Sequence, residues 1–328
     1  VRAAITGWGL AAPEGVLSNT DLEARLDTND AWILDRTGIR ERRYAGPGEG
    51  TSSLAIAAGG AAIKSAGLAP GDIDLMIMAT TSPDQVIPHT GAFVGDGLGL
   101  RCGSFDLNAA CAGFVYELVI GSAMVAGGGA RNVLLIGGET LSRLVDPDDR
   151  STTILFGDGA AAVVLSPDPH DHYGVLAYDL GCDGSLANLL EVPAGGTRQP
   201  ATHATIDEGG HFIKMNGPEV FRRAVRIIVD SAAVTLERAG VSVDDVTWFA
   251  PHQANLRIIE SACGRLGMPM ERTLMNIERY GNTSAASIPL VVAEAAEAGT
   301  LHDGDLVLMS GFGAGMTWAS ALVRWGKP

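Results

Sequence analysis

Three side chains combine nucleophilic or hydrogen-bonding capacity with a place at the end of an apolar run: Cys111, His252 and Asn282. Cys111 lies in Asn108-Ala-Ala-Cys111-Ala-Gly-Phe, where a strand-like run gives way to a helical pattern. A thiol at a helix start sits at the positive end of the backbone dipole, worth about 0.3–1 kcal/mol toward the thiolate and up to about 2 when partly buried. At about 1.4 kcal/mol per pKa unit, this lowers the thiol by a unit or so, and a second activator is needed. Free cysteines are also common small core residues, so the segment alone leaves both roles open. His252, in Pro251-His252-Gln-Ala-Asn255, follows the apolar run Val246–Ala250. Strand carboxyl ends are where ligands gather in α/β sheets. The other six histidines read as structural or solvated, and among them only His89 also closely follows a strand-like run. Asn282, in Tyr280-Gly-Asn282-Thr-Ser-Ala-Ala-Ser, opens a helical pattern, which also suits an ordinary N-cap. Gly311-Phe-Gly-Ala-Gly315 superficially resembles a nucleotide-binding loop, but a strand follows it where a helix is required. Its better use is to bring backbone N–H groups close to a reacting carbonyl oxygen.

The elements that must position these residues alternate. Strand-like runs are 3–9, 73–79, 103–107, 133–137, 160–165, 246–250, 306–309 and 318–324; helical patterns are 53–66, 113–126, 218–239, 255–266 and 285–298. Such alternation predicts a mostly parallel sheet covered by helices. An internal repeat runs through it. Ala66-Gly-Leu-Ala-Pro-Gly-Asp-Ile-Asp-Leu matches Ala239-Gly-Val-Ser-Val-Asp-Asp-Val-Thr-Trp, an offset of 173 residues. At nearly the same offset, helix 113–126 answers to 285–298 and strand 133–137 to 306–310. The chain therefore divides into two similar halves, 1–167 and 211–328, around a loop-like insert at 168–210. The repeat also sets Cys111 and Asn282 at matching strand-to-helix junctions, facing each other across a pseudo-twofold axis.

Composition narrows the function classes. The chain has 328 residues, 46% hydrophobic and 19% charged, which is enough for a large core. Its 43 glycines exceed the usual ~7% and sit in short clusters between apolar runs, as tight turns and close backbone approach require. A formal charge of −15 repels polyanions and argues against nucleic-acid binding. The four cysteines form no Cys-x-x-Cys pair, which excludes a paired-cysteine zinc site and a disulfide framework; no metal is expected. The first residues read as a strand and no apolar stretch approaches the ~20 residues of a membrane span, so the expectation is a cytoplasmic protein away from the membrane.

Together, the segments around Cys111, His252, Asn282 and 311–315 resemble the beta-ketoacyl-acyl carrier protein synthase III family, the initiating condensing enzymes of fatty acid synthesis. Trp32-Ile-Leu-Asp-Arg36-Thr-Gly-Ile-Arg40-Glu-Arg42 and Phe156-Gly-Asp-Gly-Ala-Ala-Ala match as well, and the similarity runs in order from the first strand to Trp325. The resemblance implies a thiolase-like, five-layered αβαβα fold and a homodimer. It implies that Cys111 takes the acyl group from an acyl-CoA, with backbone N–H groups of Cys111, Gly313 and Ala314 holding the oxyanion. His252 and Asn282 would then stabilise the enolate formed when malonyl-acyl carrier protein loses carbon dioxide. It further implies a coenzyme A entrance formed by Thr28, Trp32, Arg36, Arg150, Gly217, Phe221 and Asn255. An acyl pocket is implied at Ile87, Phe156, Leu189 and Leu190, and a basic patch for the acidic acyl carrier protein at Arg222, Arg223, Arg226, Arg257 and Arg265. Coenzyme A thioesters are substrates in this scheme, and no cofactor is required.

The sequence departs from relatives at two places. Pro218 stands where many have asparagine, which puts one contact to the pantetheine arm in doubt. Ile87 stands where acetyl-primed relatives often carry a phenylalanine donated by the partner subunit, and a smaller residue there admits a longer or branched primer. Other readings fare less well. A degradative thiolase needs a second cysteine in 311–315, and none is present. No motif supports the glutamate of a hydroxymethylglutaryl-CoA synthase. The surround of Cys111 lacks the Cys-Gly-Ser-Cys-Trp type of a papain-like protease. A catalytically dead binding member is disfavoured by the intact Cys-His-Asn set. A starter-unit synthase or acyltransferase of polyketide metabolism shares that set and stays open.

Overall fold

A computed structural model describes all 328 residues. Two sheets form the frame. In the first, Arg2–Ala11, Asp158–Asp168, Val133–Thr140, Leu75–Ala79 and Gly103–Leu107 lie side by side in that order. In the second the order is Gly174–Cys182, Thr317–Arg324, Leu306–Gly313 and Trp248–Pro251. Both sheets run antiparallel, antiparallel, then parallel. The fifth strand of the first sheet, parallel to Leu75–Ala79, is answered in the second by a single parallel bridge between Phe249 and Thr273. The repeat seen in the sequence is thus a repeat of topology.

Burial follows from the two-residue period of the strands. Val133 and Leu135 face a central helical layer, where they meet Phe114, Leu118, Ile288 and Val292. Leu134 and Ile136 face the opposite way, onto Leu54, Ala58 and Val94 of the outer helices Thr51–Ser65 and Thr90–Leu98. The second sheet repeats the division: Val307 and Met309 point to the centre, while Leu308 and Phe312 meet the outer helices Gly217–Ala239 and Leu256–Leu266. The result is five layers: helices, sheet, helices, sheet, helices. The central helices Gly113–Ala126 and Ser287–Glu297 are apolar nearly all round because a sheet covers each side. No helix is long and apolar enough to cross a membrane.

One expectation needs correction. The stretch 168–210 is not loop throughout, because Gly174–Cys182 pairs over its length with Thr317–Arg324 and forms the edge of the second sheet. It occupies the position that Arg2–Ala11 holds in the first sheet. Its residues are mostly part-exposed, so it lacks the continuous apolar run that marks the inner strands. The helices Asp30–Thr37 and Thr90–Leu98 also lie outside the anticipated set, being short and weakly patterned.

The central layer holds a buried ionisable group with no charged partner. Glu117 is fully buried on helix Gly113–Ala126, and neither carboxylate oxygen has a hydrogen-bond partner. Burial pushes its carboxyl well above the ordinary 4.5. Below that value both folded and unfolded chains hold the proton. As pH rises past it the unfolded chain releases its proton while the folded chain does not, so stability falls toward neutral pH. Glu117→Met is expected to remove this slope and to stabilise the protein at pH 8 by about 1–3 kcal/mol. Urea denaturation at pH 5 and pH 8 checks it.

Candidate active site

Cys111 sits in a tight turn, Ala110–Ala112, that leads from strand Gly103–Leu107 into helix Gly113–Ala126. Ala110 holds the left-handed backbone (φ 48°), rare for a residue with a side chain. Asn108 Oδ1 stabilises the turn by accepting the Ala110 N–H at 3.1 Å. The same device recurs 174 residues later. Ser284 has φ 48°, and Asn282 Oδ1 accepts the Ser284 N–H at 2.9 Å. By position, then, Asn282 is the counterpart of Asn108, and Cys111 that of Ala285. The two turns come together across the centre with Gly113 packed between Ala79 and Ala285. Strand Leu306–Gly313 runs directly against the cysteine turn: a Cβ on Gly313 would lie 2.5 Å from Cys111 N, and one on Gly311 would lie 3.1 Å from Cys111 O. Only glycine permits that approach.

Burial dominates the charge state of the cysteine. Cys111 is 7% exposed, and its thiol is pushed from 9.0 up to about 12, mainly by desolvation. This is roughly 4 kcal/mol against the thiolate, more than the ~2 kcal/mol a helix start supplies. Burial therefore outweighs the helix start and holds the group toward the thiol, so the second activator anticipated from the sequence is still required. The Ser284 side chain within hydrogen-bonding reach works the other way, but less strongly.

His252 and Asn282 reach the same place from different elements. His252 follows strand Trp248–Pro251, with its N–H bonded to Ser310 O at 2.8 Å and its ring edge against Phe312. Gln253 locks this loop from beneath, donating to Pro251 O at 2.7 Å and accepting from Asn276 N–H at 3.2 Å. Burial lowers the His252 imidazole to about 3, so the ring is neutral across the physiological range. Asn282 is pinned by backbone bonds to Leu155 O (2.8 Å) and Gly157 N (3.0 Å). With its Oδ1 committed to Ser284, the Nδ2 amide remains available as a donor. The N-cap reading is corrected: Asn282 lies one residue before Thr283, which caps the turn Ser284–Ala286, and its Oδ1 braces that turn while Nδ2 stays free to donate.

Two cavities meet at Cys111. The longer, about 460 Å³, is lined by Cys111, His252, Asn282 and Gly313 at its inner end and by Trp32, Arg36 and Phe221 at its mouth, with Gly217, Pro218 and Asn255 along the wall. The second, about 280 Å³, is mainly apolar and lies beyond Cys111, lined by Phe156, Leu190, Ser284, Ala314 and Thr317. Arg150 does not line the longer cavity but stacks on the Trp32 ring at 4.8 Å, with Arg36 5.7 Å from the same ring. Asn255 caps helix Leu256–Leu266 and donates to Arg36 O at 3.0 Å, tying the two sides of the mouth together. Thr28 lies outside both linings; its Oγ1 is buried without a partner.

The acyl-pocket residues divide. Phe156 and Leu190 line both cavities. Leu189 lines neither and packs against the outer core of the second sheet, as Leu190 also does in part. Ile87 also lines neither cavity and is 83% exposed, so a single chain does not bring it to the pocket. Leu141, Leu144, Val192 and Ile213 fill that wall, although no sequence signal set them apart from other apolar residues.

Glu139 is a further group the sequence reading passed over. Fully buried, it accepts from the N–H groups of Thr81, Ser82 and Ala285 and from the hydroxyls of Thr80, Thr81 and Ser82, with the Ser284 hydroxyl also within reach. It thereby clamps the loop after Leu75–Ala79 onto the turn that carries Ser284. The expected basic patch lies on the outer helices Gly217–Ala239 and Leu256–Leu266. Of the five arginines at that surface, Arg222 and Arg223 pair with Glu219, Arg226 with Asp230 and Arg257 with Asp35; Arg265 is exposed. These are solvent-exposed pairs worth about 0–1 kcal/mol each, weak enough to exchange for another acidic surface. No group of three or more His, Cys, Asp or Glu side chains is arranged to hold a metal ion.

A buried thiol at a strand-to-helix turn, two neutral hydrogen-bond donors from the other half of the chain and a long entrance tunnel define a condensing enzyme of the thiolase fold. The family profile described as 3-oxoacyl-[acyl-carrier-protein] synthase III matches residues 105–184, and its C-terminal counterpart matches residues 236–325. The chain is 52% identical over 324 residues to a beta-ketoacyl-[acyl-carrier-protein] synthase III of Roseiflexus castenholzii, covering 98% of each. Among solved structures it superposes on the Pseudomonas aeruginosa 3-oxoacyl-(acyl carrier protein) synthase III with a TM-score of 0.92 at 42% identity, covering 100% of this chain and 99% of that one. The priming beta-ketosynthase of the R1128 polyketide pathway gives a TM-score of 0.91 at 35% identity, covering 99% and 97%. The chain belongs to the beta-ketoacyl-acyl carrier protein synthase III family and is an acyltransferase-type condensing enzyme that initiates fatty acid synthesis.

Proposed function

We propose that the enzyme condenses an acyl-CoA primer with malonyl-acyl carrier protein through an acyl-Cys111 intermediate, in the cytoplasm and as a homodimer. The observation that carries this reading is the meeting of the two cavities at Cys111. The longer one suits a pantetheine arm, with Trp32, Arg36 and Arg150 at the nucleotide end; the apolar one suits the acyl chain.

In the first half-reaction Cys111 Sγ attacks the thioester carbonyl of the acyl-CoA, with backbone N–H groups of Cys111, Gly313 and Ala314 serving the oxyanion. The carbon–sulfur bond to coenzyme A breaks, and the Cys111 proton ends on the departing sulfur. In the second, malonyl-acyl carrier protein occupies the same tunnel. His252 and Asn282 donate to its thioester oxygen while the bond to the carboxylate breaks, releasing carbon dioxide and leaving an enolate. The enolate carbon attacks acyl-Cys111, the Cys111 sulfur departs, and it regains a proton from solvent. Donors without net charge suit this step, because they stabilise a developing oxyanion without pairing with the carboxylate that must leave.

The acidic carrier protein would dock at Arg222, Arg223, Arg226, Arg257 and Arg265, exchanging their internal partners for its own carboxylates within a Debye length of about 8 Å. Dimerisation is supported by the edge strand Gly103–Leu107, which carries exposed Phe105, and by exposed Phe93, Val86 and Ile87 on the segment before it. An apolar open edge of this kind needs a cover. It is also the route by which Ile87 would reach the acyl pocket of a second copy.

The test is intact-protein mass after mixing with acetyl- through long- and branched-chain acyl-CoAs, followed by malonyl-acyl carrier protein. One acyl adduct that disappears as beta-ketoacyl-acyl carrier protein and carbon dioxide form is the expected result. An adduct that moves onto the carrier without carbon dioxide release would make the enzyme a simple acyltransferase. No adduct with any acyl-CoA would overturn the proposal.

A further inference from the structure

The proposed mechanism uses His252 as a hydrogen-bond donor, and a neutral imidazole donates from Nε2 in only one of its two tautomers. The isolated ring does not enforce that choice. In this chain Nδ1 lies 2.6 Å from Ser287 Oγ, and both residues are 1% exposed. The same Oγ accepts the Gln253 N–H at 3.3 Å and has no other hydrogen-bond partner. If Nδ1 carried the proton, Ser287 Oγ would receive two donors and its own hydrogen would be buried without an acceptor. If the hydroxyl instead donates to Nδ1, every buried group is paired and the ring proton sits on Nε2. Buried polar groups left unpaired are costly, which decides between the two.

We infer that Ser287 is a positioning residue that holds His252 in the Nε2–H tautomer, with that N–H directed into the cavity shared with Cys111 and Asn282. Ser287 begins the central helix Ser287–Glu297, and the turn just before that helix carries Ser284, whose N–H donates to Asn282 Oδ1. One helix start therefore orients both donors. The inference rests on the reading of His252 as a donor to the thioester oxygen.

The experiment compares wild type, Ser287→Ala and His252→Ala by ¹⁵N NMR of histidine-labelled protein and by single-turnover kinetics. His252→Ala identifies the His252 signals. Wild type is expected to show His252 as the Nε2–H tautomer alone, and Ser287→Ala a mixture. In Ser287→Ala, condensation is expected to fall about 5- to 20-fold while acyl-Cys111 forms within about twofold of the wild-type rate. Retention of acylation shows that the variant folds and that the loss belongs to the second half-reaction. A Ser287→Ala protein that keeps the wild-type tautomer, or that loses it with no change in condensation, overturns the inference. If His252→Ala itself leaves condensation intact, the donor reading of His252 fails, and the tautomer spectra still judge Ser287 by themselves.

Discussion

Condensation by His252→Ala and by Asn282→Ala is expected to drop by about 10²–10³ each, the loss typical of removing one donor from an oxyanion site. Acyl-Cys111 should still form, because the first half-reaction draws on backbone N–H groups. The double variant should lose less than the product of the two single effects, since both donors serve one oxygen. The pH dependence supplies a second reading of the same residues. The imidazole is held near 3 by burial, so it stays neutral as pH falls from 8 to 5. Wild-type condensation should therefore show no loss at the ordinary histidine value of 6.5. Rapid-quench measurement of malonyl decarboxylation beside mass detection of the acyl-enzyme checks both points. An acid limb near 6.5 that disappears in His252→Ala would show that the ring gains a proton, and is lost to catalysis, in the ordinary histidine range, contrary to an imidazole held near 3 by burial.

The second large effect concerns the nucleophile. Cys111→Ala should form no acyl adduct with any acyl-CoA and lose condensation by a factor on the order of 10⁴ or more, since nothing else in the site replaces the sulfur. The free thiol should be sluggish toward a small alkylating agent at neutral pH. With its pKa pushed up to about 12, the thiolate fraction rises about tenfold per pH unit between 7 and 11, and the alkylation rate should follow. Tandem mass spectrometry of iodoacetamide-treated protein separates Cys111 from Cys102, Cys182 and Cys263. Fast alkylation at pH 7 that is insensitive to pH would mean a resting thiolate, and hence a stronger effect of the helix start than burial allows.

The tunnel argument bears on the primer as well. Beyond Cys111 the wall is built from Leu141, Leu144, Val192 and Ile213, which leaves more room than a two-carbon primer needs. In the proposed homodimer the partner's edge would adjust that room, so the acyl-CoA panel belongs with a measurement of oligomeric state.

Much of this protein was legible without coordinates because the relevant signals are local. Runs such as Val133–Ile136 are apolar at every position, which marks strands covered on both faces, and the Ala-Gly-acidic turn before 73 and 246 exposed the duplication. The places of Cys111, His252 and Asn282 at element ends followed from the same patterning. What the sequence did not decide depends on contacts between distant segments. Leu189 and Leu190 are indistinguishable in one dimension and both pack against the outer core of the second sheet, yet only Leu190 also lines the cavities. The helix start at Cys111 favours the thiolate by only a unit or so, and it took the packing of Leu306–Gly313 against its turn to show that desolvation outweighs it. Gly174–Cys182 became a strand because a partner, Thr317–Arg324, completes its hydrogen bonds. Ser287 is one of several small residues after Asn282, and its hydroxyl acquires a role only where folding brings His252 Nδ1 to it across 35 residues. Periodicity determines which face of an element is buried; which atom meets which across the core is a property of the assembled layers alone.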